Sequence, residues 1–69
     1  MKAMDLDYEM LGDAAKLMER EGGSFAGHIA RAFYVADTTN RERLVVAFDD
    51  LFVKFYKLHR LNELREGEM

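Results

Sequence analysis

The chain has 69 residues, an apolar content of 49%, no cysteine, no proline and a net charge of −3. These figures allow one small domain and exclude disulfides and thiolate zinc sites as staples. Residues 1–37 carry seven acidic and four basic side chains and residues 38–69 carry six of each, so neither half has the cationic excess from which nucleic-acid binding is argued.

A chain this short buries only ~60% of its unfolded surface, so dense helix packing or self-association must supplement the core. No segment approaches the ~20 apolar residues of a membrane span. Met1-Lys2-Ala3-Met4-Asp5 turns acidic too early for a signal peptide, and the expectation is a soluble, cytoplasmic protein.

Apolar residues recur at intervals of three and four, which points to an all-α chain. A first helix fits residues 5–21. Tyr8, Leu11, Ala15 and Met18 form its apolar row with Met10, Ala14 and Leu17 beside it, while Glu9, Asp13, Lys16 and Arg20 lie opposite. Asp5 is the expected N-cap, and Gly22 the expected left-handed residue that ends the helix.

Gly22-Gly23-Ser24-Phe25-Ala26-Gly27 raises the question of a phosphate-binding loop. A dinucleotide fingerprint needs glycine at the third position after a strand, yet Ser24 stands there after a helix, and no Gly-Lys-Ser/Thr ends the stretch. The glycines are therefore expected to form a hinge, with Gly27 allowing a second helix to come close. Ser24 is the expected N-cap of a helix over residues 25–36, on which Phe25, Ile29, Ala32, Phe33 and Ala36 share a face.

Thr39-Asn40-Arg41-Glu42 has the form of a capping box and predicts a third helix over residues 40–62, roughly 33 Å long at ~1.5 Å per residue. Leu44, Phe48, Leu51, Phe55 and Leu58 give a four-three seam, widened by Val45, Phe52, Tyr56 and His59. Val46 and Val53, one heptad apart, project on the far side beside Lys57 and Arg60. Two shorter helices cannot shelter so much apolar circumference, and the simplest remedy is a second copy of the chain in a two-fold contact.

Residues that could carry chemistry are few. His28 and His59 lack ligating neighbours at helical spacing apart from Glu63, and that pair is read as ordinary helix decoration, so no metal is expected. Adjacent Asp49 and Asp50 point ~100° apart, and Asp50 is expected to pair with Lys54. No catalytic residue and no cofactor are expected. Lys54, Lys57 and Arg60, with Arg41 and Arg43 at the other end, form a basic ridge that supports an alternative reading as a DNA-binding regulator. Against it, Phe48, Phe52, Phe55 and Tyr56 fall on the apolar face and are not interleaved with the cations.

Residues 18–55 contain Glu-Gly-Gly-Ser-Phe-Ala, then Ile-Ala-Arg-Ala, Ala-Asp, Asn-Arg, Arg-Leu and Ala-Phe-x-Asp-Leu-Phe. This arrangement resembles a set of small proteins of bacteriophages and prophages. The resemblance implies a mobile-element origin and a bacterial host cytoplasm, and it transfers no site residue.

The sequence thus predicts a single three-helix domain over residues 1–69, with 1–4 and 63–69 frayed, forming a homodimer. Its expected role is non-enzymatic protein–protein interaction that modulates a host process or phage development. The expected partner-binding residues are Val46, Val53, Tyr56, Lys57 and Arg60, and a host protein is the expected second partner. Nucleic acid and membrane are not.

Overall fold

Four α-helices, not three, follow a short 3-10 turn in the computed structural model, which describes residues 1–67. The turn is Ala3–Asp5, and α1 (Tyr8–Glu21), α2 (Gly23–Val35), α3 (Thr38–Ala47) and α4 (Asp49–Gly67) come after it. There is no strand among the described residues.

Local chemistry sets each boundary, in several places one or two residues from the sequence expectation. Asp7, not Asp5, caps α1, its carboxylate accepting from the Met10 N–H at 2.8 Å. Asp5 belongs to the 3-10 turn and accepts from the Lys2 N–H. Within the expected frayed start, Ala3 is fully buried and its N–H donates to Asp49 Oδ1 at 2.6 Å.

At the first hinge the left-handed residue is Gly23 and not, as expected, Gly22. Gly22 is right-handed (φ −86°, ψ −4°) and closes α1 by donating to the Met18 carbonyl. A Cβ on Gly22 would lie 2.5 Å from both that oxygen and the Ala26 Cβ, so close approach fixes this glycine. Gly23 is the left-handed residue, at φ 79°. Ser24 lies inside α2, which no side chain caps. Gly27 makes no close approach, since a Cβ there would meet nothing within 4 Å.

The expected Thr39 box is replaced by Asp37, which accepts from the Asn40 N–H at 2.9 Å and starts α3 at Thr38. The predicted long rod is interrupted at Phe48 (φ −117°, ψ 38°). Asp49 and Asp50 thereby become the acidic first turn of a new helix, where the dipole favours negative charge. The last helix continues through Gly67 where fraying was expected from residue 63. Residues 68–69 of that expected tail lie outside the described residues.

Phe33, Phe52 and Met18 are the largest fully buried side chains. Phe33 stands at the centre of the aromatic packing, its ring 5.5 Å from Phe52 and 5.9 Å from Tyr8. Ala14 and Ala15 of α1 and Ala26 and Ala30 of α2 are buried in the same core, where small side chains suit helices packed closely together. Burying each phenylalanine contributes about 1.5–3 kcal/mol.

The break at Phe48 also shifts the apolar seam. Val45, Phe52 and Phe55 are buried, whereas Leu44, Phe48 and Leu51 of the expected row only pack against the core and Leu58 is exposed. α1 and α4 run in the same sense, because Glu9 and Met10 share a seam with Tyr56 and Arg60 whereas Leu17 and Arg20 share one with Asn62 and Glu66.

Candidate protein-interaction site

The five residues expected to bind a partner lie on two helices, Val46 on α3 and the other four on α4. Val46 remains on the surface, 60% exposed, in a shallow depression of α3 shared with Met4, Thr39, Glu42, Arg43 and Ala47. Val53 is half-buried and packs against the core. Tyr56 is also half-buried, and with Arg60 it lines a polar seam against α1. Lys57 is exposed on α4. The interruption at Phe48 is the physical reason, because heptad spacing aligns residues only along an unbroken helix.

The polar seam has a structural role. His59 Nε2 lies 3.6 Å from Asp13 and 2.5 Å from Glu63, so the histidine joins a carboxylate of α1 to one on its own helix. The described residues contain no grouping of three or more histidine or carboxylate side chains arranged to hold a metal ion. Asp50 and Lys54 do not form the expected ion pair among the described residues, and the Lys54 ammonium sits 5.5 Å from the Phe55 ring centroid instead.

Two exposed apolar surfaces lie on α3 and α4. The first surrounds α3. From Val46 and Met4 it continues past Arg43 and Ala47 into a depression formed with Ala32 and Val35 of α2, where Val35 is 86% exposed. A helix of ten residues has too little length to bury a full stripe, and Val46 and Ala47 stay in water.

The second surface is the outer face of α4. Leu58, Leu61 and Leu64 follow one another at three-residue spacing, and Leu64 is 62% exposed. Exposed Lys54, Lys57, Arg60 and Arg65 flank them. Leu58 belongs to the expected core seam, and that seam includes neither Leu61 nor Leu64. The signal that could have found them is the ~100° advance per residue, which sets both on the side opposite Phe52 and Phe55.

Compared with known proteins, the chain matches no family model, no curated sequence and no solved structure. No helix of the described residues is long and apolar enough to cross a membrane.

Proposed function

We propose that this protein is a small non-enzymatic interaction module that self-associates through α3 and presents the outer face of α4 to a different protein. The observation that carries the reading is exposed Val46, set in one depression with the opposite charges of Glu42 and Arg43. Residues 39, 42, 43 and 46 lie along one helix face. An antiparallel two-fold contact centred between 42 and 43 sets Glu42 against the second copy's arginine and Val46 against its threonine methyl. The face is short, and contacts burying less than about 1,200 Å² are weak and transient, so the dimer is a concentration-dependent one.

The α4 face suits a second copy poorly. Antiparallel pairing about Leu61 would oppose Lys57 to Arg65, which is like against like. Leucines bordered by cations fit an acidic amphipathic segment of another protein better. If the chain is of phage origin, that protein would belong to the host.

The DNA-binding alternative draws less support. Arg41 lies over the Tyr8 ring, and the cations of α4 alternate with leucines that have no use against phosphates.

Light scattering on a size-exclusion column over a range of loading concentrations tests the self-association. The wild-type mass rises from monomer toward dimer with concentration, Val46→Asp stays monomeric, and Leu61→Asp behaves as wild type. Invariant monomeric mass at high loading concentration, or dissociation by Leu61→Asp alone, removes the reading.

A further inference from the structure

A cleft of about 340 Å³ opens between the N-terminal turn and helices α1, α2 and α3. Its volume falls within the ~300–1,000 Å³ of small-molecule sites. Buried Leu6, Phe33 and Val45 form its floor and Tyr8 one wall, so the interior is apolar. Arg41 stands at the rim, half-buried, with its guanidinium carbon 4.5 Å from the centroid of the Tyr8 ring.

The situation of Arg41 is unusual for a cation. It lies in the opening turns of α3, where the helix dipole disfavours positive charge. One N–H reaches Thr38 Oγ1 at 3.4 Å, and no described carboxylate lies within 4.0 Å of the guanidinium. The planar fork, which matches a carboxylate in two parallel hydrogen bonds, is therefore left without an anion beside an apolar cavity. We infer that the cleft binds a small amphiphilic carboxylate, its apolar body against Met4, Tyr8 and Leu11 and its carboxylate on Arg41. Glu42, on the same rim, opposes that charge and holds the affinity down. The site shares only Met4 and Glu42 with the α3 depression, so its failure would leave the self-association reading intact.

The test is an NMR titration of the nitrogen-15-labelled protein with sodium decanoate, with decanol as the neutral probe of similar shape. Decanoate is expected to give saturable shifts at Tyr8, Phe33, Arg41 and Val45, with decanol binding about tenfold more weakly, the worth of one partly solvated charged contact. Arg41→Met abolishes the difference between the probes, and Glu42→Gln tightens decanoate. Equal affinity for the two probes on the wild-type protein, or no saturable shift with decanoate, overturns the assignment without recourse to any variant. Decanoate binding unchanged in a folded Arg41→Met protein overturns it as well.

Discussion

The amide of Ala3 and the carboxylate of Asp49 lie 2.6 Å apart across 46 residues of chain, and this bond ties the N-terminal turn to the first turn of α4. It satisfies a backbone donor on a residue with no exposed surface. It also gives a negative charge at the start of a helix a second role besides the dipole.

Replacing Asp49 by alanine therefore removes a charge-assisted bond and leaves a buried N–H without its partner. The expected cost is about 1–3 kcal/mol, a large part of the stability of so small a domain. Urea denaturation monitored by circular dichroism checks this. Asp50→Ala, which breaks no such bond, should stay within about 0.5 kcal/mol of wild type. Equal effects of the two changes would show that the Ala3 contact is not a clamp.

The glycines of the hinge should respond in three different ways to alanine. Gly22→Ala places a methyl against the Met18 carbonyl and the Ala26 Cβ and should destabilise most, by more than about 2 kcal/mol. Gly23→Ala has room but pays for a left-handed backbone, about 1–2 kcal/mol. Gly27→Ala meets nothing and replaces a helical glycine, so it should be neutral or stabilising by up to about 1 kcal/mol. Thermal melts of the three variants test that order. A destabilised Gly27→Ala protein would mean that α1 and α2 pack more closely than described.

Tyr34 provides a pH signature. Partial burial of the phenol, and then the negative charge of Glu19, raise its pKa above the ordinary value of 10.0. The unfolded chain therefore loses this proton first, and the native state loses stability as pH climbs through 10 and on through the raised native value. Tyr34→Phe lacks this loss. The stability difference between wild type and variant should be flat below about pH 9 and then move against wild type as the unfolded phenol ionises. A difference that stays constant to pH 11 in chemical denaturation would contradict the assignment.

The all-helical class, the hinge and the aromatic core were legible because periodicity and paired glycines are strong local signals. Phe33, Phe52 and Phe55 fell on the apolar faces where they were expected, and all three are buried. Cap positions were harder to read, because aspartate competes with serine and threonine for the same role. Asp7 and Asp37 took the places assigned to Asp5 and Thr39. The break at Phe48 was less legible still, since the apolar four-three rhythm runs straight through it. Its trace was the Asp49-Asp50 pair, which is out of place inside a long helix and apt at the start of one. That break separates Val46 from Val53, and of the surface expected from one heptad only Val46 stays exposed while Val53 packs against the core.

The exposed α3 face is the centre of the account, and a charge exchange tests it most directly. Sedimentation equilibrium is measured for wild type, Glu42→Arg, Arg43→Glu and the protein carrying both changes. Each single change should weaken self-association about tenfold or more by setting like charges against each other, and the double exchange should restore it to within about threefold of wild type. Four proteins with the same monomer–dimer constant, or a double variant no better than the singles, would contradict a two-fold contact through α3.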